Sequence, residues 1–222
     1  MTGWFQGTGE ILSALSAGDS WMLSEALRAP AIWPLGLIGL LIASGAFLML
    51  YRLVPWTERN LEQTIMVVSY LAIGGIIFVE VIRRFAFSQQ VPWSTTLPPF
   101  LFLIMTWFGC SYNVKLRTHL AFAEFRAAMP RRGQMGCLML DAVLWIGFSW
   151  IVVVTSIKLV VNSAANFQIM LGTDNVMQWW LLISVPIAFT TLVARVIENA
   201  LTDIANYRRG APLLQTAVIG GQ

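Results

Sequence analysis

Charge is scarce in this chain. Asp, Glu, Lys and Arg make up 11% of its 222 residues, against 57% that are hydrophobic, and mean hydropathy is +0.70. Ordinary soluble domains carry roughly 25% charged residues. Too few polar side chains remain to coat a globular surface, so lipid must be the solvent for much of the chain. Histidine is scarcer still, with His119 alone. A haem site with two axial histidines from this chain is therefore excluded, and a zinc site of the usual His, Cys and carboxylate type lacks ligands. The two cysteines, Cys110 and Cys137, sit in or beside apolar segments and read as small buried hydrophobes rather than a disulfide. Ser111 and His119 lack the spacing and the orienting acid of a catalytic triad. No cofactor and no enzymatic activity are expected.

Other absences narrow the class further. Residues 1–30 have no basic start followed by an apolar core, and Glu10, Asp19, Glu25 and Arg28 interrupt them, so no secretory leader is expected. The net charge of +3 is too modest to argue for nucleic acid. No internal repeat stands out. Inverted repeats are typical of the transporting part of secondary carriers, and their absence favours a subunit that does not itself bind solute.

What is present is a series of apolar runs. A helix needs about 20 apolar residues to cross a bilayer. Runs of that order occupy residues 31–53, 63–82, 97–114, 136–161 and 179–201. Pro34 and Pro98-Pro99 fall in first turns, where a missing amide donor does little harm. Gly39 and Ala43 present either a small-residue face for a neighbouring helix or ordinary lipid-facing sequence. Thr57 is placed to cap the second run, and Gly74-Gly75 mark a close-packing position within it. Pro186 lies inside the fifth run, where it frees a backbone carbonyl that packed neighbours must tolerate or satisfy. Trp33, Trp56, Trp93, Trp179 and Trp180 mark boundaries, as an aromatic belt predicts, while Trp107, Trp145 and Trp150 read as packing residues inside spans.

Acidic groups in spans mark ion paths often enough to be weighed. Glu80 and Asp141 both lie near span ends, which favours structural pairing: Glu80 with Arg84 at i,i+4, Asp141 with Arg131 and Arg132. Lys158 is placed to snorkel to headgroups. Before the first run, scattered Trp, Phe and Leu suggest a short helix on the membrane surface. Between the third and fourth runs, Leu116, Leu120, Ala123 and Ala127 at helical spacing predict a short interfacial helix ended by Pro130.

Basic residues orient the chain. With the segment 115–132 cytoplasmic, the inner side holds Arg52, Arg59, Lys115, Arg117, Arg126, Arg131, Arg132, Arg195, Arg208 and Arg209. The outer side holds Arg28, Arg83, Arg84 and Lys158. That excess is what the positive-inside rule requires. Five spans then put the amino terminus outside and the carboxyl terminus inside.

Several short motifs occur in a telling order. Glu80-x-x-Arg83-Arg84-Phe85 closes the second run, Val91-Pro92-Trp93-Ser94 precedes the third, and Trp107-Phe108-Gly109 is followed ten residues later by His119. Met129-Pro130 leads into the fourth run, and Pro186 and Arg195 mark the fifth. Over about residues 64–199 the chain resembles the small membrane subunit, the DctQ type, of tripartite ATP-independent periplasmic (TRAP) transporters. It departs at Thr95-Thr96, where the family usually has a glutamate pair, and in the extra run 31–53, since the family core has four spans.

The apolar runs and the resemblance together predict an all-α integral membrane protein: a four-span family core over 63–201, an additional amino-terminal span over 31–53, a tail at 1–30, a cytoplasmic tail at 202–222, and a short interfacial helix between core spans 2 and 3. The resemblance implies a bacterial inner-membrane location and two partners: a large membrane subunit that carries the sodium and substrate sites and moves as an elevator, and a periplasmic protein that captures solute and docks from outside. The solutes implied are organic acids, including C4-dicarboxylates and sialic acids, driven by ion gradients. The small subunit would be a stator. Glu80, Arg83, Arg84 and Trp93 would then fix the outer end and shape a docking surface. Lys115, Arg117, His119 and Arg126 would anchor the inner end against headgroups or the partner. The alternatives are a scaffold or assembly subunit of an unrelated membrane complex, and a stand-alone carrier or membrane enzyme.

Overall fold

The computed structural model describes residues 2–117, 126 and 128–213. Its elements, in order, are α1 (Thr2–Ala17), α2 (Ser20–Ala26), α3 (Ile32–Leu53), α4 (Pro55–Phe87), a 3-10 turn (Pro92–Ser94), α5 (Leu97–Leu116), α6 (Arg131–Ala165), α7 (Trp179–Leu182) and α8 (Ser184–Arg209). Five helical stretches are long and apolar enough to cross a membrane: Ile32–Leu53, Pro55–Phe87, Pro92–Leu116, Arg131–Ala165 and Trp179–Arg209. Each contains one of the apolar runs, and the chain is an all-α membrane protein. The predicted interfacial helix and His119 lie largely or wholly outside the described residues.

The helix ends follow from local chemistry. α3 stops at Leu53, Val54 is extended, and Pro55 opens α4 at its first helical position, where its fixed φ suits a helix start. The helix therefore begins well before the expected Gln63. Thr57 does not cap it: its hydroxyl lies inside the first turn and donates to the Val54 carbonyl at 2.7 Å. α4 has 33 residues and α6 has 35. At about 1.5 Å per residue each is about 50 Å long, against a hydrocarbon core of about 30 Å, so both project into the boundary regions. The fifth run is broken at Ile183, and Pro186 falls in the first turn of α8 rather than in mid-span. Its missing N–H is there one of the donors that a helix start leaves unused. Gly210, at φ +77, ends α8 in the left-handed conformation usual after a helix.

Packing is centred on α8. Of the apolar stretch of the last span, 56% is buried within the chain, against 6% for α4. Phe189, Leu192, Val193 and Val196 of α8 form the main core with Leu40 of α3, Val114 of α5 and Val153 of α6. The Phe189 ring meets Trp107 at 4.8 Å, in keeping with the packing role expected of that tryptophan, and Phe148 at 5.8 Å between centroids. A second core joins the amino-terminal helices to the bundle, with Ile11, Leu27, Ala31, Ile32 and Val154. Asp19 caps α2 by accepting from the backbone amides of Trp21 and Met22. The amino-terminal segment thus packs on α6 and α3 instead of forming one isolated surface helix.

Glycines locate the closest helix approach elsewhere than expected. A Cβ on Gly36 would come within 2.4 Å of Val154, so α3 and α6 meet there. Gly39, Gly74 and Gly75 have no atom within 4 Å of an added Cβ. The expected close packing at Gly74-Gly75 is not made within the chain, because α4 turns most of its circumference away from the bundle.

Candidate functional site: the two ends of the bundle

Arg195 is buried at one end of the bundle, called the inner end after the expected distribution of basic residues and opposite the end called outer, and α8 carries it into contact with α3 and α4. Arg195 and Glu62 are 1% and 0% exposed. The guanidinium donates from Nε to Glu62 Oε1 at 2.7 Å and from Nη2 to Glu62 Oε2 at 3.1 Å, a two-pronged pair. Nη2 also donates to the Glu58 carbonyl at 2.7 Å, and Nη1 to Glu198 Oε2 at 2.9 Å. The Tyr51 ring lies 3.9 Å from the guanidinium carbon, and its hydroxyl donates to Glu62 Oε1 at 3.2 Å. Removing one partner of such a buried pair leaves the other charge uncompensated.

More ties surround this one. Lys115 of α5 donates to the Glu58 and Arg59 carbonyls of α4. Arg117, the left-handed residue that ends α5, donates to Asp203 Oδ1 at 2.7 Å and to both the side-chain and backbone oxygens of Asn199. Asn199 returns a bond to the Val114 carbonyl at 2.8 Å. Of the predicted inner anchors, Lys115 and Arg117 thus reach other helices of the chain itself. Arg126 lies 3.6 Å from Asp141.

That ion pair corrects the expected partners of Asp141. Arg131 donates instead to the carbonyls of Asn206, Tyr207, Gly210 and Ala211 and lies over the Tyr207 ring. The carbonyls in and just after the last turn of α8 form the negative pole of that helix, and they draw the guanidinium.

The outer end is assembled from two loops. Glu80 Oε1 accepts from the Val91 amide at 3.2 Å, and among the described residues it forms no ion pair with Arg84. The segment after α4 folds back and offers a backbone donor, and this takes the place of the expected i,i+4 pair. Arg84 is exposed, and the Arg83 Nε is buried without a hydrogen-bond partner among the described residues. Trp93 is part of the 3-10 turn and is exposed. That turn packs against Gly172, at φ +80, where an added Cβ would come within 2.5 Å of the Pro92 carbonyl carbon. Both the φ and the contact demand glycine. The Gly172 loop is closed by Met170 donating to Val176 and Gln178 to Gln168. Glu80, Trp93 and the 166–178 loop are thereby gathered at one end, with Arg83 and Arg84 on the same last turns of α4. Lys158 lies over the Trp33 ring at 5.7 Å.

Glu62, Tyr51 and Asp203 were not singled out from the sequence. Glu62 sits in the polar stretch 57–63, which reads as a connection when helices are located by apolar runs. Its signal was helical phase: Glu62, Met66 and Ser69 share one face of α4.

Five membrane-length helices, knit at one end by buried charge and presenting loops at the other, define a multi-span membrane subunit whose ionic groups are largely structural. The family model for "Tripartite ATP-independent periplasmic transporters, DctQ component" matches residues 73–206, more than half of the chain. The chain belongs to this family, that of the small permease subunit of TRAP transporters. No curated protein matches it. The match includes Arg195 but begins after Tyr51, Glu58 and Glu62, so the buried network joins the matched region to residues that precede it.

Proposed function

We propose that this subunit is the stationary scaffold of its transporter, holding a large sodium-coupled elevator subunit during uptake of organic acids such as C4-dicarboxylates. The observation that carries the reading is the contrast between α8 and α4. The last span is a buried hub, whereas α4 turns Val67, Val68, Leu71, Phe78 and Val79 outward with almost no burial. A sliding domain needs a broad neighbour that does not slide, and a rigid bundle with one wide apolar flank meets that need. Boundary tryptophans and basic ends resist tilt and vertical displacement.

In this reading Glu80, Arg83, Arg84 and Trp93 shape the surface on which the periplasmic binding protein docks. Lys115, Arg117, His119 and Arg126 hold the inner end, the first two by tying helices together. The subunit sits in the bacterial inner membrane with its amino terminus outside and its carboxyl terminus inside, an orientation supported by the basic residues gathered at the Arg195 end. It performs no chemistry on the solute.

Tagging the carboxyl terminus and extracting the membrane in mild detergent tests the assignment. A large permease recovered in fixed ratio supports the scaffold role. A chain recovered alone from membranes in which the permease is present, and under detergents that preserve its other complexes, rejects it.

A further inference from the structure

One cleft remains unused by these roles. It has a volume of about 450 Å³ and opens at the inner end where α3, α4 and α8 meet, lined by Leu48, Tyr51, Arg52, Glu58, Glu198 and Leu201 among others. Arg52 lies in the last turn of α3 and Glu58 in the first turn of α4. Both line the cleft, and among the described residues neither side chain forms an ion pair; the Glu58 backbone carbonyl accepts from Arg195 and Lys115, and the Lys115 ammonium also attracts the Glu58 carboxylate at longer range. Glu198 gives one carboxylate oxygen to Arg195 and is otherwise 42% exposed. A guanidinium and carboxylates thus share one recess, and among the described residues Arg52 forms no ion pair with either carboxylate. Leu48 and Leu201 line the same recess, at the ends of membrane-crossing helices.

We propose that this cleft binds an aminophospholipid, with the phosphate on Arg52 and the primary ammonium between Glu58 and Glu198. The ligand must carry both signs a short distance apart, since a simple anion would meet the two carboxylates and a simple cation would meet Arg52. A phosphoethanolamine headgroup has that charge order. Its ammonium donates hydrogen bonds to carboxylates, which a choline headgroup cannot do. The leucines favour a ligand that brings acyl chains, and lipid is the solvent at this position. The bound headgroup would cover the exposed carboxylate of Glu198 beside the already buried Arg195–Glu62 pair.

Native mass spectrometry of the full-length chain, delipidated and then offered phosphatidylethanolamine, phosphatidylcholine or phosphatidylglycerol, tests this. The chain should retain phosphatidylethanolamine about tenfold better than either of the others, the effect of one hydrogen bond to a charged group. Glu58→Gln should abolish the preference over phosphatidylcholine, and Arg52→Gln should weaken retention of both zwitterionic lipids. Neither side chain belongs to the buried network, so unfolding temperature should be unchanged in both variants. Glycerophosphoethanolamine, which has the headgroup without the chains, should compete poorly. Equal retention of the three lipids, a preference for phosphatidylglycerol, or a preference that survives Glu58→Gln overturns the site. Competition by glycerophosphoethanolamine as strong as by the lipid overturns its assignment to a lipid.

Discussion

The inner and outer ends of the bundle use charge in opposite ways. At the inner end Arg195, Glu62, Lys115, Arg117 and Asp203 are satisfied within the chain, and the bonds cross between α3, α4, α5 and α8. At the outer end Glu80 holds a single backbone amide, Arg84 is exposed, and the contact between loops rests on the shape of Gly172. The first arrangement fixes helices relative to one another. The second leaves charged groups available while holding the surface around them in place. The proposed stationary scaffold would use both, and they are placed at opposite ends of the same helices.

This contrast can be broken most severely at Glu62. Glu62→Ala leaves the buried Arg195 guanidinium with only the part-exposed Glu198 as counter-charge, at a cost approaching the roughly 3–5 kcal/mol of a broken buried pair. Thermal unfolding in detergent should show a large fall in midpoint or loss of the folded chain. Glu80→Ala removes one part-buried hydrogen bond and should change the midpoint far less; equal losses would erase the distinction between the ends. Next is Gly172→Ala. It forces a side chain into the left-handed region and against the Pro92 backbone, a local cost of about 1–3 kcal/mol. The expected readout is faster proteolysis of the 166–178 loop and altered Trp93 fluorescence, with the inner network intact. Arg131→Ala should cost about 1 kcal/mol, since it uncaps exposed carbonyls at the end of α8, and amide exchange should rise over residues 203–211 alone. Smallest for stability is the double reversal Arg83→Glu with Arg84→Glu. It should leave unfolding unchanged and still lower solute uptake, because among the described residues neither guanidinium forms a hydrogen bond or ion pair that ties elements together. Full uptake with normal assembly would remove them from the docking surface.

The sequence made some of this legible and hid the rest for identifiable reasons. Hydropathy locates all five spans because each must supply about 20 apolar residues to lipid. Hydropathy cannot see helical turns made of polar residues. α4 therefore starts at Pro55 instead of Gln63, and Glu62 went unnoticed although it carries half of the central ion pair. Partner choice was also obscure. Charge and spacing suggest Glu80 with Arg84 and Asp141 with Arg131, but backbone groups compete for the same side chains: the Val91 amide takes Glu80, and the last carbonyls of α8 take Arg131. Pro186 was visible, while the break at Ile183 that makes it harmless was not. Gly74-Gly75 signal close packing correctly as a type of residue, yet the chain itself supplies no neighbour there.

The central claim is that the outward flank of α4 belongs to a partner protein. A cysteine in place of Leu71 or Phe78, both largely exposed there, can be crosslinked in intact membranes after Cys110 and Cys137 are replaced by alanine. The account predicts one dominant adduct to a large permease, from these positions and not from the buried Leu192 of α8. No adduct to any protein from the α4 positions, in membranes that contain the permease, would contradict it.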